Sequence, residues 1–226
     1  MEEERTKVPR IHSPVKILIV DDHPLVREGL ALRISLHSDL KVCGEADSEE
    51  SALALVKQTS PDLVLVDISL KSGHGIELIK QIRSIDSSIK MLVITGFQES
   101  LYAERALRAG ALGYLNKQES NEKIIDAIRT VISGERFLSP EMSRRFISLA
   151  LGGSEGRKSS WDSLTDRELE VFRLIGQGHT TSAIAGRLQL STHTIDTHRE
   201  NIKRKLALNN AAELSREAVQ WLLQNG

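Results

Sequence analysis

The stretch PDLVLVDISL, residues 61–70, carries an apolar run from Leu63 to Val66 directly into Asp67. An unbroken run of leucine and valine is typical of a strand that is buried on both faces of a parallel sheet. The carboxyl ends of such strands form the edge at which open α/β sheets hold their ligands. An aspartate at this place can also be the first polar residue of an ordinary loop. The stretch therefore predicts a parallel strand and leaves the role of Asp67 to the rest of the chain.

Apolar runs and helical patterns alternate on both sides of this stretch. The other runs of strand type lie at 16–20, 40–43, 91–94 and 112–115. The helical patterns lie near 24–36, 48–58, 75–84, 99–109 and 120–133. Strands that alternate with helices form βαβ units. The first part of the chain is therefore predicted to be an α/β doubly wound, five-stranded parallel sheet with helices on both faces.

The rest of the chain has a different composition. SPEMSRRFISLAL predicts a short helix, and LGGSEGRKSS, with three glycines and three serines in ten residues, predicts a flexible linker. From Trp161 onward every pattern is helical, which predicts an all-α four-helix domain. We expect four segments: a disordered N-terminal extension at 1–14, an α/β domain at 15–135, a linker with a short helix at 136–160, and the helical domain at 161–226.

Composition narrows the class of protein. With 40% hydrophobic and 27% charged residues the chain resembles a soluble globular protein. No segment approaches the roughly 18 uncharged apolar residues of a membrane span, and the polar start lacks the apolar core of a secretory signal. The single cysteine, Cys43, excludes an intrachain disulfide and is expected to be a small buried residue on a strand. These features predict a cytoplasmic protein with no membrane partner.

Polar residues stand at the ends of four of the five predicted strands. Asp21 and Asp22 follow the first strand, Asp67 the third, Thr95 ends the fourth, and Lys117 follows the fifth. Carboxylates packed together repel one another unless a cation intervenes, and Mg²⁺ with its oxygen ligands suits such a cluster. The lysine can neutralise a carboxylate or an incoming phosphoryl group, and the threonine hydroxyl can bond a phosphate oxygen. The pattern predicts a metal-lined cleft that handles phosphate.

These motifs resemble a known family. ILIVDDH at 17–23, LVLVDISLKSGHG at 63–75, VITG at 93–96 and GYLNK at 113–117 look like the receiver domain of bacterial response regulators. The resemblance implies that Asp67 accepts a phosphoryl group from a histidine of a sensor kinase. It further implies that Mg²⁺ is held by Asp21, Asp22, Asp67 and the backbone carbonyl of Ser69.

The same resemblance implies roles for the other residues of the cleft. Lys117 would pair with the phosphoryl group, Thr95 would be the switch hydroxyl, and Tyr114 would be an aromatic switch that turns inward when Thr95 moves toward the phosphate. One position departs from the family pattern, because Lys71 stands where a proline is usual. Gly73 and the glycine two residues later still permit a tight turn, so we expect the loop to keep its shape.

The helical domain contains strong helix-start signals. Thr165 is followed three residues later by Glu168, the spacing of a capping box, and Thr180 and Ser191 are predicted to cap the next two helices. Two short helices joined by a short turn, the second polar and partly basic, form a helix-turn-helix. The apolar positions expected to face inward are Leu169, Phe172, Ile175, Ile184, Ala185, Leu188, Ile195, Ile202 and Leu206.

Charge alone does not decide whether this domain binds DNA. Residues 161–226 carry eight basic and eight acidic residues, but four of the bases, Arg199, Lys203, Arg204 and Lys205, fall within seven positions. Such a patch can hold phosphates, although it can also be an ordinary solvated helix face.

The motifs LTDRELEV at 164–171, IAGRL at 184–188 and STHTIDTHRENIKRKL at 191–206 resemble the LuxR-type helix-turn-helix of NarL/FixJ response regulators. This resemblance implies that the 192–206 helix enters the major groove of double-stranded DNA. The residues expected to contact DNA are His193, Thr197, Arg199, Lys203 and Arg204. Asp196 and Glu200 could either accept from a cytosine amino group in the groove or point away from DNA and pair with an arginine, and His198 is expected to pack inside the domain.

Together the two resemblances predict a two-component response regulator and transcription factor, without enzymatic activity, that binds DNA as a homodimer. A candidate dimer interface is the last helix, with Leu214, Val219 and Trp221, which could instead complete the core. A Mg²⁺-dependent phosphohydrolase would need a second aspartate two residues after Asp67, where the chain has Ser69. An adaptor that binds only proteins remains an alternative, favoured by the neutral charge of the helical domain.

Overall fold

A computed structural model of the chain describes residues 13–70, 72–150 and 160–225. Most of the predicted N-terminal extension, nearly all of the predicted flexible linker and Lys71 therefore lie outside the described residues. The strands are β1 (Val15–Val20), β2 (Leu40–Ala46), β3 (Leu63–Val66), β4 (Lys90–Thr95) and β5 (Gly113–Asn116). The helices between and after them are α1 (Pro24–Ser35), α2 (Glu49–Thr59), α3 (Gly75–Ile85), α4 (Glu99–Ala109) and α5 (Asn121–Ile132).

The five strands form one parallel sheet in the order β2-β1-β3-β4-β5. Alternating residues of β1 face two different cores. Ile17 and Ile19 belong to one that includes residues of α1 and α5, whereas Leu18 and Val20 belong to one that includes residues of α2, α3 and α4. The predicted doubly wound sheet is confirmed. Because β1 and β3 are neighbours at its centre, Asp21, Asp22 and Asp67 are brought to the same edge.

The second strand differs from its prediction. It continues three residues beyond the apolar run and contains a register shift, so that Ile17 pairs with Val42 and Leu18 pairs with Gly44. Cys43 lies at this irregularity and is half-buried, with its Sγ 3.5 Å from Thr59 Oγ1. Gly44 and Glu45 hid the continuation, because glycine is unfavourable in strands and Glu45 is an exposed charge on an edge strand.

The chain after α5 covers the opposite edge of the sheet. Phe137 donates its N–H to the Leu112 carbonyl and accepts from the Tyr114 N–H, which forms an isolated bridge beside β5. The helix α6 (Pro140–Ala150) then packs on α4. The β5 edge is thus paired by the protein's own chain, which protects it from pairing with another molecule.

The C-terminal part contains a 3₁₀ turn (Ser160–Ser163), α7 (Asp166–Gly176), α8 (Thr181–Leu188), α9 (Thr192–Leu206) and α10 (Ala211–Asn225). The capping box is present: Thr165 Oγ1 accepts from the Glu168 N–H, and Glu168 accepts from the Thr165 N–H. Thr180 and Ser191 cap α8 and α9 as predicted. The inward-facing apolar residues are buried, apart from Leu206, which is half-buried.

The last helix belongs to this core. Leu214 and Trp221 are fully buried, and the Trp221 ring packs edge-on against Phe172. Of the two alternatives for these residues, a dimer interface or the core of the domain, the structure shows the core, whereas Val219 and Leu223 are exposed. In the part of the chain that the structure describes, every helix is too short or too polar to cross a membrane.

Candidate functional site

The edge formed by the strand ends brings three carboxylates around one ammonium group. Lys117 Nζ lies 2.6 Å from Asp21 Oδ2 and 2.6 Å from Asp67 Oδ2. Asp21 and Asp67 are almost completely buried, and Asp22 is three-quarters buried. The position of Asp67 follows from its strand, since the Asp67 N–H donates to the carbonyl of Val20 on neighbouring β1. The sequence therefore placed these four residues together correctly.

Burial and like charge control the ionisation of this cluster. Burial raises the pKa of the Asp67 carboxyl, Lys117 opposes that rise, and the Asp21 carboxylate adds to it. Burial alone would lower the pKa of Lys117, but the attraction of the Asp67 and Asp21 carboxylates outweighs it and raises that pKa. One ammonium group thus faces more negative charge than it can neutralise, and the cluster would gain from a second cation.

The geometry of the cluster fits a hard divalent cation. Asp21, Asp22, Asp67 and His23 each offer a ligand atom, and these atoms all lie within 4.8 Å of one another. Asp67 Oδ1 is buried and has no hydrogen-bond partner within the described part of the chain. Such an orphaned oxygen is costly unless an ion or a water satisfies it. Carboxylate oxygens are the ligands that Mg²⁺ prefers in proteins.

His23 was not predicted to belong to this cluster. The ring nitrogen Nδ1 of His23 lies 2.6 Å from Asp22 Oδ1, and the backbone N–H of His23 donates to Asp21 Oδ1 at 2.9 Å. Arg27 supports the same loop, because its Nη1 donates to the carbonyl of Asp21 at 2.6 Å. The sequence signal was present in DDH at 21–23, where the histidine directly follows the carboxylates.

Thr95 and Tyr114 converge on Phe97. The Phe97 N–H lies 3.5 Å from Thr95 Oγ1, and the Tyr114 hydroxyl donates to the Phe97 carbonyl at 3.0 Å. Tyr114 is only 2% exposed, so its side chain is already turned inward. The sequence predicted that Tyr114 turns inward on phosphorylation. In this structure the side chain already points inward, and its hydroxyl is held by the β4–α4 loop.

The loop after Asp67 depends on two glycines. Gly73 has a φ of +93°, which L side chains rarely adopt. A Cβ at Gly75 would collide with the Asp67 carbonyl oxygen, so only glycine allows α3 to begin beside the acidic cluster. Ser69 forms an isolated bridge with His74, which places the Ser69 backbone near the start of α3.

The two halves of the chain contact each other through α4. Arg105 Nη1 donates to the Leu164 carbonyl at 2.8 Å and to Asp166 Oδ1 at 3.0 Å, and its Nη2 donates to the Trp161 carbonyl at 3.2 Å. The guanidinium of Arg173 lies 4.5 Å from the ring centroid of Phe97, a cation–π contact. These contacts join segments far apart in sequence, and no local sequence motif predicted them.

The helix α9 presents most of its polar residues to solvent. His193, Thr197 and Arg204 are exposed, whereas Arg199 and Lys203 are partly buried. Lys203 Nζ lies 2.9 Å from Glu200 Oε1, so this lysine is partly neutralised. His198 is half-buried, and burial lowers the pKa of its imidazole, as expected for a packed residue.

The glutamate of the capping box ties α9 to α7. Lys205 Nζ donates to Glu168 Oε2 at 2.6 Å, and Glu168 is buried. One of the four clustered bases therefore holds the domain together, and it is not available to a nucleic acid.

Comparison with known proteins agrees with the family predicted for each half of the chain. Residues 17–129 match the family model "Response regulator receiver domain", and residues 162–218 match "Bacterial regulatory proteins, luxR family". The chain is 34% identical to the response regulator GacA of Pseudomonas aeruginosa, over 91% of this chain and 96% of that protein. It is 34% identical to the response regulator protein VraR of Staphylococcus aureus, over 88% of this chain and 93% of that protein.

Among solved structures, RcsB of Salmonella enterica serovar Typhimurium, bound to a promoter in the presence of the phosphomimetic BeF₃⁻, is similar. The TM-score is 0.61 at 25% identity, over 90% of this chain and 98% of RcsB. The alignments with GacA and VraR cover 96% and 93% of those proteins. The chain belongs to the NarL/FixJ family of response regulators and is a two-component response regulator that acts as a transcription factor.

Proposed function

We propose that Asp67 accepts a phosphoryl group from a phosphohistidine of a sensor kinase, and that this modification controls DNA binding by α9. The observation that carries the proposal is the buried Asp67 carboxylate, with one oxygen paired to Lys117 and the other without a partner in the described part of the chain. A carboxylate oxygen of Asp67 attacks phosphorus, the P–N bond to the histidine breaks, and its electron pair stays on the imidazole. The product is an acyl phosphate.

The surrounding residues have separate tasks in this reaction. Asp21, Asp22 and Asp67, with the Ser69 carbonyl, would hold Mg²⁺, which offsets the charge of the phosphoryl oxygens when bound. Lys117 remains beside the acceptor and pairs with the transferred group. The direct test is to treat the full-length protein with acetyl phosphate and Mg²⁺, and a single acid-labile phosphate adduct is expected in the intact mass.

Phe97 offers a route from this site to the DNA-binding half. A phosphoryl group at Asp67 adds acceptor oxygens to which the Thr95 hydroxyl can donate, while Thr95 Oγ1 now accepts from the Phe97 N–H. Movement of Thr95 would shift the backbone of Phe97, and with it the ring that lies beneath Arg173. The contact between the two halves would then have two states, docked and undocked, and phosphorylation would shift the balance between them.

We extend the proposal to the whole chain. The receiver comprises residues 15–135, the linker residues 136–160 and the DNA-binding domain residues 161–226. The protein acts in the cytoplasm, where its DNA lies. Its partners are a sensor histidine kinase, double-stranded DNA and a second copy of itself. It carries no enzymatic activity of its own beyond accepting the phosphoryl group.

Replacement of Asp22 by alanine is expected to weaken Mg²⁺ binding at least about tenfold, because loss of even a supporting group costs a metal site that much. The fold should persist, since one carboxylate leaves a repelling cluster. Calorimetry or NMR shifts measure the affinity. Tryptophan fluorescence is a poor reporter of this site, because Trp161 and Trp221 lie in the other half of the chain. Asp126→Ala, at an exposed position on α5, is the control. Unchanged Mg²⁺ affinity in Asp22→Ala would contradict this site.

Replacement of Lys203 by alanine is expected to weaken DNA binding by a similar factor for all sequences. Removal of one side chain that binds a phosphate reduces the slope of log affinity against log salt concentration by roughly one unit. Titrations at several salt concentrations measure this slope. Glu200→Gln is the matched control and should strengthen binding, because it removes the carboxylate that pairs with Lys203. An unaltered slope would show that Lys203 does not contact a phosphate.

Replacement of Arg105 by alanine is expected to separate the two halves of the protein. It removes three hydrogen bonds from a guanidinium, and a loss of about 2 kcal/mol shifts the ratio of docked to undocked protein roughly thirtyfold. Small-angle X-ray scattering should show a larger radius of gyration. Arg108→Ala is the control, because Arg108 lies on the same helix and pairs with Glu104, one turn away on that helix. Equal radii for both variants would mean that Arg105 does not hold the halves together.

A further inference from the structure

One residue of α2 holds the loop that carries the chain from Asp67 to α3. The backbone N–H of Glu49 donates to the Ser72 carbonyl at 3.2 Å. The Glu49 carboxylate reaches two residues further along the loop, where its Oε2 accepts from the backbone N–H of His74 at 3.2 Å. The other carboxylate oxygen, Oε1, accepts from Gln81 Nε2 at 2.6 Å. Glu49 therefore ties α2 both to the loop and to the helix that follows it.

The loop lies directly against the Glu49 side chain. A Cβ added at Gly73 would collide with that side chain, so the backbone and the carboxylate are in close contact. Glu49 is half-buried, and both of its carboxylate oxygens are engaged. Hydrogen bonds to an ionised acceptor are stronger than those between neutral groups. The neighbouring Glu50, in the same turn of α2, is exposed.

The held loop contains the residue expected to offer Mg²⁺ a backbone oxygen. Ser69 lies opposite His74 in an isolated antiparallel bridge. The hydrogen bond beside this bridge runs from the Gly75 N–H to the Ile68 carbonyl at 2.9 Å. In an antiparallel pair, residues between the hydrogen-bonded positions direct their own N–H and C=O groups outward. The Ser69 carbonyl is thus directed away from His74, and its position depends on where Glu49 holds His74.

The sequence of this loop gives it little stiffness of its own. Lys71 stands where the receiver family usually has proline, so the chain lacks the restriction of φ that proline imposes. Gly73 and Gly75 follow closely, and glycine has the greatest backbone freedom of any residue. Ordering such a loop costs conformational entropy, which contacts from outside the loop must offset. Glu49 supplies contacts of this kind from α2.

We propose that Glu49 is a positioning residue for the phosphoryl-transfer site, and that its hydrogen bonds keep residues 68–74 in the conformation that presents the Ser69 carbonyl to Mg²⁺ beside Asp67. In this role Glu49 acts through the loop and needs no contact with the metal. Groups that hold metal ligands in place typically contribute about 10–100-fold to metal affinity. The inference rests on the metal site of the proposed function and adds to it a residue on a separate helix.

Calorimetric titration of the full-length protein with Mg²⁺ tests this role. Glu49→Leu keeps much of the side-chain volume but removes both acceptors, and it is expected to raise the Mg²⁺ dissociation constant about tenfold. Glu49→Gln should stay within about twofold of the wild type, because the introduced amide can accept from the His74 N–H and donate to Gln81 once the Gln81 amide turns over. Glu50→Leu is the matched control, since it removes an exposed carboxylate from the same helix turn.

Gln81→Glu gives a second test in which Glu49 stays in place. It sets two carboxylates against each other where a hydrogen bond of 2.6 Å now lies. Their repulsion should loosen the loop and raise the Mg²⁺ dissociation constant by a similar factor, about tenfold. The double variant Glu49→Gln/Gln81→Glu again places a donor opposite an acceptor and should recover the wild-type affinity within about twofold.

Two further measurements distinguish positioning of the loop from a general effect on stability. In the metal-free protein, amide hydrogen exchange at His74 and Gly75 should accelerate about tenfold or more in Glu49→Leu, while amides of β3 keep the wild-type rate. Phosphorylation of Glu49→Leu by acetyl phosphate should slow about tenfold at low Mg²⁺ and return within about twofold of the wild type at saturating Mg²⁺. A general loss of stability would accelerate exchange in β3 as well.

Several outcomes would overturn the role of Glu49. They are unchanged Mg²⁺ affinity in Glu49→Leu, an equal loss in Glu49→Gln or Glu50→Leu, a double variant that does not recover, and exchange that accelerates equally in β3. Each of them, found while the wild type binds Mg²⁺ and is phosphorylated, leaves the proposed function intact. A wild type without affinity for Mg²⁺ would instead refute the metal site of the proposed function, and this inference with it.

Discussion

Replacing Asp67 by asparagine is expected to abolish phosphorylation of the protein by acetyl phosphate and Mg²⁺. An amide is neutral and a far weaker nucleophile than a carboxylate, so no acyl phosphate can form at this position. Intact-mass spectrometry should show no acid-labile adduct on the variant under conditions that modify the wild type fully. Asp126→Asn, on the exposed face of α5, should be modified like the wild type. A stoichiometric adduct at another residue of Asp67→Asn would refute the assignment.

The same variant should remain folded, which makes its loss of phosphorylation informative. Burial raises the pKa of the Asp67 carboxyl, so the ionised side chain costs free energy in the folded state without a cation. The neutral amide removes that cost, while Lys117 keeps its contact with Asp21 at 2.6 Å. We therefore expect a thermal midpoint in the absence of Mg²⁺ that is no lower than that of the wild type.

The cleft around Asp67 could be predicted from sequence because the geometry of a parallel sheet is simple. Its strands run in one direction, so residues that directly follow separate strands must meet at one edge. Asp21, Asp67 and Lys117 are far apart along the chain, yet each was placed by its strand alone. The caps at Thr165 and Ser191 were equally predictable, since a cap depends only on the next few residues.

Contacts between the two halves could not be predicted in this way. Arg105 and Asp166 lie on helices with ordinary patterns, and nothing near either one in sequence indicates a partner about sixty residues away. Tyr114 shows the same limit, because its motif identified a switch position but not the rotamer, which is set by the Phe97 carbonyl. Trp221 was ambiguous for a related reason: an apolar residue of a last helix serves a core or an interface according to how neighbouring helices pack.

The phosphorylated protein is expected to bind DNA as a dimer at two half-sites. A single module of this size buries roughly 600–1,000 Å² on DNA, which seldom discriminates a promoter from other sequences. Two modules one helical turn apart match the two-fold symmetry common among such proteins. Once the first module is bound, the second binds at a high effective concentration, which can raise the overall affinity by about 10² or more.

Analytical ultracentrifugation of the full-length protein with DNA, with and without a phosphoryl donor, measures this stoichiometry. Two proteins per duplex are expected with the donor and a DNA carrying both half-sites, and one protein on a duplex that carries a single half-site. On α10, Val219 and Leu223 are the residues exposed for a contact between neighbouring DNA-binding domains, since Leu214 and Trp221 lie in the core. A strictly one-to-one complex on both duplexes, with and without the donor, would refute the dimer. A dimer that forms equally without the donor would instead uncouple assembly from Asp67 and leave phosphorylation to act through the contact of Phe97 with Arg173.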